Sequence, residues 1–160
     1  MEMVRLLLVC AGIIPVVASA ADFTLTVGPP VAAGSGSKVT KSKAAVFAVR
    51  LEECDALDKA QISGTTEGIV DGARMSTPVA LSAAESPGVY VVSPAGNQGQ
   101  GVWVVSLSAT CGSARAGAIV PLGTGTGGAG FLRERTRVFP RTPTKAEVDA
   151  ALKALEAPGK

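Results

Sequence analysis

Alternation between apolar and polar residues is the feature that most constrains this chain. It is clearest in Pro87–Cys111, which contains the one tyrosine and the one tryptophan of the sequence. The second half of this stretch places four apolar residues on one face of an extended segment, namely Trp103, Val105, Leu107 and Ala109. The first half, Val89–Ser93, has the same strand-like character, and the residues between the two halves are rich in Gly, Pro and Asn, which suit a turn. This stretch therefore predicts a β-hairpin, with Tyr90 and Trp103 as aromatic residues of the core.

Segments of the same period-two character recur along the chain. They are Asp22–Val27, Ala45–Leu51, two or three strands within Lys59–Ala83, a strand after Cys111 that carries Ala116, Ala118, Val120 and Leu122, and Phe131–Phe139. Asp71-Gly72 is a strong hairpin-turn signal, and Met75 to Ala83 is interpreted as the strand that follows it. These features predict many short strands joined by turns.

One helix is expected near the C-terminus. Thr144 and Glu147 have the spacing of a capping box, and the apolar residues after them recur on one helical face: Val148, Ala151, Leu152 and Leu155. The pattern leaves open whether this helix folds back on the strands or docks on another molecule. Together the elements predict an all-β fold, an antiparallel Ig-like β-sandwich of about seven strands with one short C-terminal helix.

The N-terminus has the three parts of a secretory signal peptide. Arg5 is the positive residue, Leu6–Val17 is the apolar region, and Ala18-Ser19-Ala20 is a cleavage site. An uncleaved anchor is the alternative, but the apolar region has about 12 residues, whereas a spanning helix needs about 20. The sequence therefore predicts a periplasmic or secreted protein that loses residues 1–20 and has no membrane span after cleavage.

The remaining chain, about 140 residues, is long enough for one domain with its own core. Residues 21–122 are expected to form the sandwich and residues 123–130 a Gly-rich linker. Residues 131–160 are expected to form a basic strand and the helix. Gly123, Gly125 and Gly128 match the spacing of a dinucleotide-binding loop, but no apolar helix follows them, so a linker is the better interpretation.

Two cysteines, Cys54 and Cys111, remain after the expected cleavage, since Cys10 belongs to the leader. An even pair in an exported chain predicts a disulfide. A redox-active or metal-binding thiol pair is the alternative, but the pair lacks the Cys-x-x-Cys spacing and a neighbouring histidine.

Three arginines alternate within Phe131–Phe139 and would share one face of a strand: Arg133, Arg135 and Arg137. One interpretation is a solvated edge strand whose charges block unwanted pairing. The other is a contact surface for an acidic partner. The sequence leaves both open.

The central stretch resembles the small periplasmic Ig-like domains of the YtkA/FixH type. The resemblance covers Pro87-Gly88-Val89-Tyr90 and Gly101-Val102-Trp103, which match a P-G-x-Y strand and a G-x-W strand. It implies a sandwich fold and an envelope compartment. Some relatives of these domains act beside copper-handling systems through His and Met ligands, but this chain has no histidine, and Met75 is the one methionine after the leader.

The absence of histidine removes the usual general base, the Ser-His-Asp and Cys-His arrangements, and His-ligated zinc. The formal net charge of +2 gives no case for nucleic acid binding. The sequence therefore predicts a non-enzymatic module of the cell envelope, binding or structural, without a cofactor. It would contact an envelope partner through the C-terminal segment. A small-ligand or metal carrier is the alternative.

Overall fold

A computed structural model describes residues 22–30, 46–94, 101–123 and 130–157. Within these ranges the chain forms nine strands and one α-helix: β1 (Thr24–Gly28), β2 (Phe47–Glu52), β3 (Gln61–Val70), β4 (Ala73–Pro78), β5 (Ala80–Ala83), β6 (Val89–Ser93), β7 (Val102–Cys111), β8 (Ala114–Leu122), β9 (Arg137–Phe139) and α1 (Lys145–Glu156). One sheet has the order β1-β2-β6-β5 and the other β4-β3-β7-β8-β9. Every pairing is antiparallel. The predicted antiparallel β-sandwich with one C-terminal helix is confirmed, with nine described strands rather than about seven.

The predicted hairpin between Val89–Ser93 and the strand of Trp103 is wrong. β6 pairs with β2 and β5 in the four-stranded sheet, whereas β7 pairs with β3 and β8 in the five-stranded sheet. β3 is as long as β7 and pairs with it from Gln61 to Ile69. β6 has five residues and is too short to pair over that length. Alternation fixes which face of a strand is buried, but it does not fix the neighbouring strand.

The Asp71-Gly72 turn forms as expected between β3 and β4. Both residues have positive φ, 49° and 77°, as a two-residue hairpin of type I′ requires. The single strand expected from Met75 to Ala83 is wrong, because the chain changes sheets at Val79 and continues as β5. Pro78 ends β4 immediately before this change, and proline has no N–H with which to continue a ladder.

The main core lies between the two sheets and contains the predicted apolar rows of β1, β2, β7 and β8. Trp103 is 2% exposed and lies opposite Gly68 of β3. A side chain at position 68 would place its Cβ 2.2 Å from Trp103 Cε3, so this close approach requires glycine. Tyr90 is half-buried and packs at the margin of the same core.

The helix packs on the outer face of the five-stranded sheet. Thr144 caps it with the predicted capping box, and Val148 and Leu152 are buried against Val104 and Ile119. The face of β7 that points away from the main core is therefore apolar where α1 covers it. The helix therefore folds back on its own sandwich, where it forms a second, smaller core. The sequence had left open whether the helix would do so or dock on another molecule.

The strand predicted over Phe131–Phe139 is wrong in its first part. Residues Arg133–Arg135 form a 3₁₀ turn, and only Arg137–Phe139 pair with β8, as the edge strand β9. The hydroxyl of Thr136 donates to the carbonyl of Leu132 (3.1 Å), and such local side-chain bonds compete with extended structure.

The two ends of the predicted linker lie side by side. The N–H of Gly123 donates to the carbonyl of Gly130 (2.7 Å), and the N–H of Leu132 donates to the carbonyl of Pro121 (2.8 Å). Residues 130–157 therefore continue the same sandwich. The predicted leader and its predicted cleavage site, and the predicted linker between these two glycines, lie outside the described residues.

Candidate functional site

A groove runs along one side of α1, between the helix and the segment Glu134–Arg137, above β8. We call it the α1 groove. Its cavity volume is about 470 Å³, and the residues that line it are Ile119, Pro121, Glu134, Arg135, Thr136, Arg137, Ala150, Ala151, Ala154 and Leu155. The floor and the helical wall are apolar, whereas the opposite wall carries the charges.

Local chemistry in the sequence shapes this groove. The 3₁₀ turn brings Arg135 to its wall, and the short β9 places Arg137 beside Ile119 in the sheet. The connection from β9 to α1 passes close over β8, where a Cβ at Gly117 would lie 2.4 Å from Pro143 Cδ. Small alanines on the helix leave room between the helix and the charged wall.

A second cavity of about 310 Å³ extends the groove towards the end of α1. It is lined by Val102, Leu122, Gly123, Leu132, Arg135 and Leu155. Arg135 and Leu155 line both cavities, so the two lie side by side and Arg135 borders each of them.

This arrangement separates the three arginines that were predicted to share one strand face. Arg135 and Arg137 line the groove, whereas Arg133 does not. All three side chains are exposed, and none forms an ion pair with another residue of the described ranges. Glu134 is the single acidic residue of the lining, so the charged wall has an excess of positive charge.

Ion pairs hold the N-terminal end of α1 in place. The guanidinium of Arg141 donates to both carboxylate oxygens of Glu147 (2.7 and 2.9 Å) and stacks on the ring of Phe139 (5.3 Å to the centroid). Arg74 of β4 donates to Glu67 and to Asp149, and Lys145 also pairs with Asp149 (2.9 Å). The helix is thus tied to both edge strands of the five-stranded sheet.

These contacts change the acidity of two carboxyl groups. The bond from Arg141, with a further bond from the backbone N–H of Thr144, lowers the pKa of Glu147 from 4.5 to about 2. Lys145 and Arg74 lower the pKa of Asp149. Both carboxylates therefore carry their charge under ordinary conditions and hold the helix in position beside the groove.

We expect the Glu147→Gln variant to lose part of the acid sensitivity of the fold. Between about pH 4.5 and pH 2 the unfolded chain binds a proton at Glu147 that the native state does not bind, so falling pH removes the stability that this carboxylate contributes. Melting temperatures measured from pH 6 to pH 2 should fall more steeply in the native protein than in the variant. Glu156→Gln, at the other end of α1, is the matched control, and an equal slope in native protein and Glu147→Gln would contradict the expectation.

Cys54 and Cys111 form the predicted disulfide. Their sulfur atoms are 2.02 Å apart and their Cα atoms 5.9 Å apart. Cys54 follows the end of β2 and Cys111 ends β7, so the bond joins the two sheets covalently. In the described ranges, no three His, Cys, Asp or Glu side chains lie close enough together to hold a metal ion.

Taken together, the described residues form an antiparallel β-sandwich whose two sheets are linked by a disulfide and whose surface carries a groove bordered by a helix. The sequence matches no protein family model, no curated protein is significantly similar to it, and no solved structure is significantly similar to its fold. Among the described residues, no helix has the length and apolar character needed to cross a membrane.

Proposed function

We propose that this protein is an exported, non-enzymatic module of the cell envelope that binds an acidic segment of a partner protein in the α1 groove. The observation that carries the proposal is the groove itself, which combines an apolar floor with two arginines that have no partner among the described residues. Exposed arginines without partners pair readily with the carboxylates of another chain.

Export is supported by the N-terminal pattern of Arg5, Leu6–Val17 and Ala18-Ser19-Ala20. The disulfide between Cys54 and Cys111 agrees with it, because disulfides persist in oxidising compartments such as the periplasm. We place the protein there or outside the cell, as a rigid sandwich that presents the groove.

A small-ligand carrier is the second candidate, and the size of the groove is the observation that favours it. Ligand pockets have volumes of about 300–1,000 Å³ and are mostly apolar with a few polar groups. The groove has a volume of about 470 Å³ and a largely apolar lining. We favour a protein partner because the groove is partly open to solvent rather than an enclosed cavity, and because two exposed arginines stand on its wall.

Site-specific photo-crosslinking in intact cells tests the proposal. A photoreactive residue at Ala154, on the groove wall, should capture a specific partner, whereas one at Thr26, exposed on the four-stranded sheet, should not. The double variant Arg135→Glu/Arg137→Glu should reduce the crosslinked product about tenfold or more, which corresponds to about 1.4 kcal/mol. Arg133→Glu is the matched control, because Arg133 is equally a surface arginine of this segment but lies outside the groove.

Equal capture from Ala154 and Thr26, or capture that is insensitive to the double charge reversal, would overturn the proposal. Recovery of a small molecule with the purified protein, detected by native mass spectrometry and lost in the double variant, would instead establish the carrier function.

A further inference from the structure

The second cavity, beside the α1 groove, is lined mainly by aliphatic side chains. We call it the leucine pocket. Its lining includes Val102, Leu122, Leu132 and Leu155, and Arg135 is its one charged residue. Leu122 is buried, whereas the other three aliphatic side chains are only half-buried. The pocket is therefore a place on the surface where apolar side chains converge.

Leu132 contributes to this pocket and not to the interior of the fold. Leu122 belongs to the core between the sheets, and Val102 and Leu155 pack against the smaller core under α1. Leu132 is half-buried but is part of neither core. Its apolar surface is therefore available to a molecule that enters the pocket.

Backbone hydrogen bonds hold Leu132 in place. Its N–H donates to the carbonyl of Pro121 (2.8 Å), and its own carbonyl accepts from the N–H of Arg135 (3.1 Å) and from the hydroxyl of Thr136 (3.1 Å). A wall that is fixed before binding costs less conformational entropy when a ligand arrives. The leucine pocket is thus preorganised.

The charges lie on one side of the leucine pocket. Arg135 borders both the pocket and the α1 groove, whereas Glu134 and Arg137 line the α1 groove alone. A chain segment that lies in both cavities meets aliphatic side chains at one end and two guanidinium groups at the other. Guanidinium groups bind carboxylates with paired, charge-assisted hydrogen bonds.

We propose that the partner segment carries one bulky apolar residue that fills the leucine pocket, with acidic residues on one side of it that pair with Arg135 and Arg137. This inference rests on the proposed function, and it adds the class of segment that the site takes. A side chain buried in a fitted pocket supplies much of the binding energy of an interface. Charge pairs at its rim contribute mainly to specificity and to the rate of association.

A segment that is acidic throughout fits the site less well. In the leucine pocket a carboxylate would be surrounded by aliphatic side chains, and moving a charge out of water to such a place is costly. In the α1 groove Glu134 adds a like charge. Both features disfavour polyacidic segments, and repulsion of this kind is how a binding site discriminates among related partners.

Selection from a random peptide library displayed on phage, with the purified protein as bait, tests the inference. The enriched peptides should share a bulky apolar residue, the anchor, with Asp or Glu on one side of it. Synthetic copies of these peptides then serve as probes in fluorescence anisotropy. Replacing the anchor by Ala should weaken binding about tenfold or more.

A double-mutant cycle identifies the pocket that holds the anchor. Leu132→Ser should weaken binding of the selected peptide about tenfold, but it should have little further effect on the peptide whose anchor is Ala. Because Leu132 is part of neither core, the variant should stay folded, which circular dichroism checks. Val138→Ser is the matched control, since Val138 is an exposed aliphatic residue of β9 that lines neither cavity.

Charge reversal separates this inference from the proposed function. Arg137→Glu should weaken every acidic peptide and leave the preference for the anchor unchanged. Enriched peptides that are acidic but share no apolar residue would overturn this inference alone, as would equal effects of Leu132→Ser and Val138→Ser. Enriched peptides without acidic residues, or binding that is insensitive to Arg137→Glu, would overturn both proposals, and so would a selection that enriches no peptide.

Discussion

A chain that ends at Gly130 is expected to lose its cooperative fold or to melt far below the full-length protein. The truncation removes β9 from the edge of β8 and removes α1 from the outer face of the sheet. It also removes Phe131, whose ring packs on Phe47 of the main core with centroids 5.7 Å apart. The C-terminal segment is thus part of both cores.

The magnitude follows from the side chains that the truncation uncovers or deletes. Val104, Ile119 and Leu152 are each at most 1% exposed, and full burial of such a side chain contributes about 1.5–3 kcal/mol. Losing several of them approaches the total stability of a domain, about 5–15 kcal/mol. Urea unfolding followed by circular dichroism, with the full-length chain as reference, measures the difference.

Two controls distinguish the loss of the packed C-terminal segment from the shortening of the chain alone. A chain that ends at Ala157 keeps the helix and should match the full-length protein. Within the helix, Leu152→Ala should cost about 2–5 kcal/mol, whereas the neighbouring Lys153→Ala should stay within about 0.5 kcal/mol. If the chain that ends at Gly130 unfolds with the same midpoint as the full-length protein, the helix is an appendage and this interpretation is wrong.

The faces of the strands could be predicted from the sequence, but their neighbours could not. The rows of Phe23 and Leu25, of Phe47 and Val49, and of Trp103 are buried as their alternation indicates. Alternation records only which side of a strand meets the core. Whether β7 pairs with β6 or with β3 depends on strand length and on contacts between distant residues.

Turns and caps could be predicted because their physics is local. Asp71-Gly72 and the Thr144–Glu147 capping box each satisfy backbone groups within a few residues, and both form as expected. Sheet switching at Val79 is local as well, and Pro78 was the available signal for it. Alternation alone, without that signal, predicts one strand from Met75 to Ala83.

The α1 groove could be predicted only in part. Arg135 and Arg137 were candidates for a solvated edge strand or for a contact surface, and they were placed on one strand face together with Arg133. The groove exists because the 3₁₀ turn, β9 and α1 meet over Ile119, and that arrangement depends on the helix folding back. The apolar outward residues of β7, Val102 and Val104, were the signal that this face of the sheet would be covered.

Removing the disulfide is expected to produce the second large effect, about 4 kcal/mol of lost stability. The bond closes a loop with a sequence separation of 57 residues, and in the chain-entropy model a loop of that length restricts the unfolded chain by about this amount. For a domain of this size the loss corresponds to a melting temperature lower by roughly 10 °C. The bond joins β2 to β7, so its loss also frees the two sheets from each other at that end of the sandwich.

Calorimetry of the purified protein with and without a phosphine reductant measures this effect. The variant Cys54→Ser/Cys111→Ser should melt at the temperature of the reduced protein, and the reductant should not lower it further. The comparison of the variant with and without reductant isolates the bond from other effects of the reductant, because the one other cysteine, Cys10, lies in the predicted leader. An unchanged melting temperature on complete reduction would mean that the packing of the sheets alone determines stability, and that the two cysteines contribute no constraint to the fold.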